Sequence, residues 1–188
     1  MKRLRIIDFD DTLAWSGQAV ETMRERYPEI PERDWWHDPN ISSQAVEITK
    51  PITGMWRALS DFPEGDEVII LTGRVLAPVL LWLSRYATHP DVVDGLQRIT
   101  DVVSTSDGNS DEGVWPVKGT AARKALQVMA ACDLYDEIHV YDDHPNNLMA
   151  ITGACPHVRA HQIVGGHLIN RGARWTWERR RGHFYPDT

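Results

Sequence analysis

The chain has 188 residues, 42% hydrophobic and 25% charged, with a formal net charge of −7. That length supports one sizeable core and a single α/β domain, and the charge argues against nucleic-acid binding by bulk electrostatics. No apolar run approaches the ~18 residues of a membrane span, and Cys132 and Cys155 form neither a CxxC pair nor a disulfide framework. A soluble, unprocessed protein of the reducing cytoplasm, without a membrane partner, is therefore expected. The charge is uneven: residues 170–188 carry five Arg against Glu178 and Asp187, a net of +3, which leaves −10 on the rest.

In chain order, Leu4, Ile6 and Ile7 form an apolar run that breaks into Asp8, Asp10, Asp11 and Thr12. Such a run reads as a buried parallel strand, and α/β ligand sites lie just beyond the carboxyl ends of such strands. If the strand continues through Asp10, Asp8 and Asp10 leave the same face roughly 7 Å apart along the chain. Two carboxylates that close repel without a cation. They suit a nucleophile, an acid/base partner and a hard, oxygen-liking ion; the plain alternative is a strand ending in a solvated acidic turn.

Ser16 is placed to cap a helix over 16–27 that Pro28 ends. Residues 28–51 read as an irregular excursion around Trp35-Trp36-His37-Asp38-Pro39, followed by a short helix over 53–60 and a turn over 61–65. A second strand spans 67–71 and runs straight into Thr72-Gly73-Arg74, then an apolar helix reaches Tyr86. A third strand is expected over 99–104, a loop over 105–113, and a helix over 120–131 with Ala122, Leu126, Met129 and Ala130 on its buried stripe. A fourth strand, 138–141, ends in Asp142-Asp143, and a fifth occupies 157–164. Strands alternating with helices imply βαβ units and a mostly parallel, Rossmann-like sheet.

Three strands thus end in polar residues that a parallel sheet brings to one rim: Asp8/Asp10/Thr12, Thr72/Gly73/Arg74 and Asp142/Asp143, with Lys118 ahead of the fourth strand. A hydroxyl, a lysine and carboxylates around a cation are what phosphoryl transfer requires. Asp143 and Asn147, four apart at a strand-to-helix turn, can face the same side.

Asp8-Phe9-Asp10-Asp11-Thr12, Ile70-Leu71-Thr72-Gly73-Arg74, Lys118 and Asp142-Asp143-x-x-x-Asn147 resemble motifs one to four of the haloacid dehalogenase superfamily, in order, over residues 5–147. The resemblance implies a three-layer α/β fold and a Mg²⁺-dependent phosphatase. It makes Asp8 the nucleophile, Asp10 the acid/base, Thr72 the phosphoryl holder and Lys118 the charge balance. Mg²⁺ would be held by Asp8, the Asp10 carbonyl and Asp143, supported by Asp142 or Asn147. Asp10, two past the nucleophile, favours phosphatases over dehalogenases.

Thr-Gly-Arg is similar to the second motif of polynucleotide 3′-phosphatases. Trp36-His37-Asp38-Pro39 with Leu71-Thr72-Gly73-Arg74 resembles the corresponding domain of the Swiss Army Knife RNA-repair proteins. These likenesses imply a nucleic-acid end or nucleotide as substrate, with Thr12, Gly73, Arg74 and Trp36 as binding residues. Residues 1–170 are then the phosphatase domain, with a small cap insert at about 15–66, and 171–188 a basic tail containing Trp. A small-metabolite phosphatase is the alternative enzyme. A nucleic-acid-binding protein without turnover is the alternative of another class, although pure binding would not require Asp10.

Other residues carry two readings. Trp35 and Trp36 either stack on bases or anchor the irregular segment to the core. Arg74 either grips a phosphate or closes a salt bridge at the strand end. His157 and His161 read as structural, since a strand sets them roughly 13 Å apart, too far to share an ion. The Arg/Trp-rich tail either meets nucleic acid or packs on the domain. Lys124, a rival to Lys118, falls in mid-helix and is expected to point away from the strand ends.

Overall fold

The computed structural model describes residues 1–106, 119–165, 167–173, 175–178 and 183–186, with side chains described as far as residue 165 except that of Arg33. Lys118 and most of the expected 105–113 loop lie outside the described residues.

The elements run β1 (Arg3–Ile7), β2 (Ala14–Trp15), α1 (Gly17–Arg26), α2 (Glu32–Trp35), α3 (Pro39–Ile48), β3 (Lys50–Pro51), α4 (Thr53–Ser60), β4 (Asp66–Thr72), α5 (Leu76–Tyr86), α6 (Val93–Leu96) and β5 (Asp101–Ser104). They continue with α7 (Thr120–Ala131), β6 (Glu137–Asp142), α8 (Pro145–Ala154), β7 (Arg159–Val164), β8 (His167–Ala173), β9 (Trp175–Glu178) and β10 (His183–Pro186). The main sheet has the order β5-β4-β1-β6-β7-β8. Its first five strands are parallel, and β8 joins antiparallel at the edge. β9 and β10 pair separately as an antiparallel hairpin.

β1 is central because its apolar residues can be covered on both faces. Ile7 packs with Phe9, Val68, Ile70, Trp56 and Trp82 on one side of the sheet. Leu4 and Ile6 pack with Val128, Ile138, Val140, Leu148 and Ile151 on the other. Arg5, the polar residue inside β1, is neutralised where it enters the sheet: its Nε donates to Asp66 at 2.5 Å and its Nη1 to the Tyr141 hydroxyl at 2.7 Å.

The segment expected to be irregular contains a full helix. Asp38 caps α3, its carboxylate accepting from the N–H groups of Asn40 (2.8 Å) and Ile41 (3.1 Å), with Pro39 in the first turn. Asp-Pro is a strong helix start, so the signal was present among residues that otherwise read as turn. α1, α2 and α3 enclose a small core of their own, formed by Ala19, Met23, Trp35, Ile41 and Ala45.

α6 lies hard against α4: a Cβ on Gly95 would sit 2.5 Å from the Trp56 carbonyl oxygen. Gly95→Ala is therefore expected to destabilise the fold by about 1–3 kcal/mol, the usual range for overpacking. Urea midpoints of the two proteins measure it, and equal midpoints would show that α6 moves away freely.

Among the described residues no helix is long and apolar enough to cross a membrane.

Candidate active site

β1 ends at Ile7, where the apolar run breaks, and does not continue through Asp10. The Asp8 N–H still bonds the Tyr141 carbonyl at 2.8 Å, and the chain then turns back through Asp11, which has φ +51°. Because the chain turns here instead of extending, Asp8 and Asp10 have different partners. Asp8 faces Lys124 and Asp10 faces Arg74.

Asp8 is 6% exposed and its Oδ1 accepts from Lys124 Nζ at 2.5 Å. The same ammonium donates to Asp142 Oδ2 at 2.7 Å. Asp142 is saturated: its carboxylate also accepts from the Asn147 amide (2.9 and 3.0 Å) and from the His144 N–H (2.9 Å). Asn147 thereby orients Asp142 from the first turn of α8. Oxygens of Asp8, Asp142 and Asp143 all lie within 4.8 Å of one another.

The expectation for Lys124 is overturned. The buried residues of α7 are Lys124, Ala125 and Val128, whereas Leu126 and Met129 are about half exposed at 48% and 47%. The sheet-facing stripe is thus displaced from the more apolar one, because the carboxylates below select the ammonium for that face. Thr120 starts the helix against Gly73, where a Cβ would meet the Thr120 methyl at 2.7 Å. That close approach brings the first turns of α7 over the strand ends.

Electrostatically the carboxylates outnumber the cations. Burial raises the Asp8 carboxyl well above the usual carboxylate range; Lys124 opposes this, while Asp142, Asp143 and Asp10 add to it. Asp143 is pushed up to about 7 by burial and by Asp142 and Asp11. Burial alone would lower the Lys124 ammonium, but Asp142 and Asp8 hold it above its ordinary value. Three clustered carboxylates with one ammonium leave a deficit of positive charge, and the donors are all oxygen. The set fits a hard divalent cation such as Mg²⁺. Asp143, the least committed of the three, and Asp8 are the best placed to hold it, with Asp142 fixed by Asn147 beside them.

Asp10 has a separate clamp. Arg74 donates from Nε at 2.8 Å and from Nη2 at 2.5 Å, and the Ser16 hydroxyl donates at 2.5 Å. Burial favours the neutral acid, but Arg74, by charge and hydrogen bond, and Ser16 hold Asp10 below its ordinary value. Of the two readings of Arg74, the salt bridge is the one formed. Its Nη1 is nonetheless buried without a hydrogen-bond partner among the described residues. The Trp36 ring lies over the guanidinium at 4.1 Å. Trp35, at 2% exposure, belongs to the core of the insert, whereas Trp36 lies on the cavity wall.

These groups floor an open cavity of about 710 Å³ whose walls include Trp36, His37, Gly73, Arg74, Arg123 and Asn146. Thr12 and Thr72, expected at the site, are fully buried and do not line it. The Thr72 hydroxyl accepts the Arg74 N–H at 3.1 Å, shaping the turn that carries Gly73 and Arg74. His37 reaches across the cavity wall, its Nδ1 2.8 Å from the Ser106 hydroxyl, which in turn donates to the Gly73 carbonyl. His161 is buried in β7 with its Nε2 2.8 Å from His139 Nδ1, while His157 is exposed.

Ser16, His37, Arg123 and Lys124 also line the cavity; of these only Lys124 is weighed from the sequence, as a rival to Lys118, and His37 enters only within the Trp36-His37-Asp38-Pro39 resemblance. Ser16 was read as a cap, yet it makes no side-chain cap bond and gives its hydroxyl to Asp10. For Lys124 the available signal was its spacing with Ala121, Ala125 and Val128, a helical stripe interrupted by a charge.

No family model matches the chain, nor does any curated protein. Solved structures do share its fold. A haloacid dehalogenase family enzyme from Bacteroides thetaiotaomicron, in complex with magnesium and inorganic phosphate, aligns with a TM-score of 0.58 at 11% identity, over 89% of this chain and 96% of that one. CbbY from Rhodobacter sphaeroides, in complex with phosphate, gives 0.57 at 14% identity, over 93% and 92%. A haloacid dehalogenase superfamily hydrolase from Geobacter sulfurreducens gives 0.54 at 12% identity, over 85% of each chain. The likeness is one of architecture, and the chain has the three-layer, Rossmann-like haloacid dehalogenase fold around a five-stranded parallel sheet.

Proposed function

We propose that the protein is a Mg²⁺-dependent phosphomonoester hydrolase working through an aspartyl-phosphate on Asp8. The observation that carries this reading is the floor of the cavity. A buried carboxylate at the end of the central strand is held by Lys124, beside Asp142 and Asp143 and within a turn of the clamped Asp10. Bound Mg²⁺ would neutralise the phosphoryl oxygens and the carboxylate excess.

Asp8 attacks phosphorus and the bond to the leaving oxygen breaks, that oxygen taking a proton from Asp10. Asp10 then removes a proton from water, which attacks phosphorus; the Asp8–phosphate bond breaks and phosphate leaves. Lys124 holds Asp8 in line and offsets charge as it moves between the carboxylate and the phosphoryl group. Arg74 keeps Asp10 ionised in the free protein, the form suited to the second step. A substrate oxyanion that draws on the unpartnered Nη1 loosens that pair and lets Asp10 take up the proton needed for the first.

Among substrates, we favour a nucleotide or a phosphorylated nucleic-acid end. The cavity is far larger than a phosphate, an aromatic ring and Arg123 stand on its wall, and the resemblance to polynucleotide 3′-phosphatases and Swiss Army Knife repair proteins points the same way. A small-metabolite phosphate is the second reading, favoured by Asp11 and Glu32, which face the same cavity and oppose a polyanion. On the first reading, the residues that follow β8, which runs to Ala173 in the main sheet, are a basic segment that adds contacts with the substrate.

The test is a panel of 3′- and 5′-phosphorylated oligonucleotides, mononucleotides and sugar phosphates. Activity is expected to vanish with EDTA and return with Mg²⁺. For an oligonucleotide substrate KM should rise with salt, and removal of residues 175–188, which spares β8, should weaken oligonucleotide turnover more than that of a small aryl phosphate. Equal kcat/KM for oligomers and mononucleotides, insensitive to salt and to the tail, would select the metabolite reading. No turnover of any member with Mg²⁺ would overturn the enzyme.

A further inference from the structure

The two cysteines lie 23 residues apart in sequence and occupy matching places in the fold. Cys132 is the C-terminal cap residue of α7 and Cys155 that of α8, the two helices that carry Lys124 and Asn147. These helices pack together on one face of the sheet, and both cysteines join their apolar cluster with Val128, Leu148 and Ile151. The sulfurs are 2.6 Å apart, within about 0.6 Å of the roughly 2.05 Å of a disulfide bond. Closing that gap joins the C-terminal ends of the two helices. CxxC spacing could not reveal such a pair, since it is made by the packing of two helices.

The two thiols are not equivalent. Cys155 is buried at 3% exposure, whereas Cys132 is half-buried and reachable from solvent. Burial and the neighbouring Cys132 push the Cys155 thiol up to about 12, so it stays protonated until its neighbour reacts.

We propose that Cys132 and Cys155 form a redox modification site: a disulfide, made by exchange with a low-molecular-weight disulfide such as oxidised glutathione, that staples α7 to α8. The Cys132 thiolate attacks one sulfur of the reagent, forming a mixed disulfide and releasing one glutathione thiolate. The Cys155 sulfur, losing its proton, then attacks Cys132 Sγ and expels the second glutathione as thiol. Two protein thiols are oxidised by two electrons, and the reagent is reduced to two thiols. The bridge ties the helix that positions Asp8 and Asp142 through Lys124 to the helix that orients Asp142 through Asn147.

The experiment incubates the full-length protein with graded ratios of oxidised to reduced glutathione, quenches with acid, and reads intact mass, free-thiol count and non-reduced peptide maps. The expected product is a monomer lighter by two hydrogen atoms, without free thiols, in which the Cys132 and Cys155 peptides are joined. Its Tm should rise by roughly 5–15 °C, the effect of closing a loop of this length in a chain of this size. Cys155→Ser should stop at a glutathionyl adduct on Cys132, and Cys132→Ser should remain unmodified while folded. The proposal is overturned if the wild-type protein accumulates the mixed disulfide, pairs between molecules, or keeps both thiols under fully oxidising conditions. Uptake of glutathione by Cys132→Ser at the wild-type rate would equally overturn it.

Discussion

An Asp8→Asn protein is expected to turn over no phosphomonoester while folding as the wild type does. The amide cannot form an acyl-phosphate, so the loss is complete and not a shift in KM. Folding survives because the substitution removes one negative charge from a cluster short of positive ones, and Lys124 keeps its 2.7 Å bond to Asp142. Asp10→Asn should instead slow both half-reactions, by on the order of a hundredfold or more, the usual share of acid/base catalysis. Single-turnover assays separate the two: phosphate bound covalently to protein should appear with Asp10→Asn and be absent with Asp8→Asn. A wild-type rate from Asp8→Asn would remove the covalent mechanism.

Lys124→Met is expected to lower kcat by on the order of a thousandfold, the upper range for deleting one fixed electrostatic donor. It should also destabilise the Mg²⁺-free protein by about 3–5 kcal/mol, because it leaves Asp8 and Asp142 buried without their shared cation. Saturating Mg²⁺ should recover part of the stability and little of the rate. Lys118→Met, made in parallel, should stay close to wild type in both measurements. The opposite outcome, with Lys118→Met inactive and Lys124→Met active, would return the charge-balancing role to Lys118.

The parts of the fold legible in the sequence are those set by local contrast. Leu4, Ile6 and Ile7 before Asp8, Val68 to Leu71 before Thr72, and Ile138 to Tyr141 before Asp142 each break from apolar to polar at one point. Parallel pairing then aligns those three breaks. What stayed hidden depends on partners distant in the chain. Leu126 and Met129 outweigh Lys124 on any hydropathy scale, yet the lysine takes the inner face because Asp8 and Asp142, 116 and 18 residues away, are there to meet it. Ser16 looks like a cap until Arg74, 58 residues on, brings Asp10 within reach of its hydroxyl. α3 was lost for a different reason: its start signal, Asp38-Pro39, is also a turn signal, and only the packing of Ile41 and Ala45 on Trp35 decides between them.

The separate small core of α1–α3 has a consequence for engineering. On the proposed function the chemistry belongs to the rim of the sheet, while Trp36, His37 and Glu32 stand on a wall whose own interior is Ala19, Met23, Trp35, Ile41 and Ala45. The wall is joined to the rest of the chain by the Val75 N–H to the Trp36 carbonyl at 3.2 Å, the His37–Ser106 bond, the Trp36 ring over Arg74, and Val46 of α3 in the main core. On the same function, the residues that meet the substrate beyond its phosphate and those that carry the chemistry therefore sit on different elements of one chain. On that reading, a library over residues 28–40 that keeps Trp36, and with it the Arg74 clamp on Asp10, re-tailors selectivity while Asp8, Lys124 and Asp142 keep their geometry.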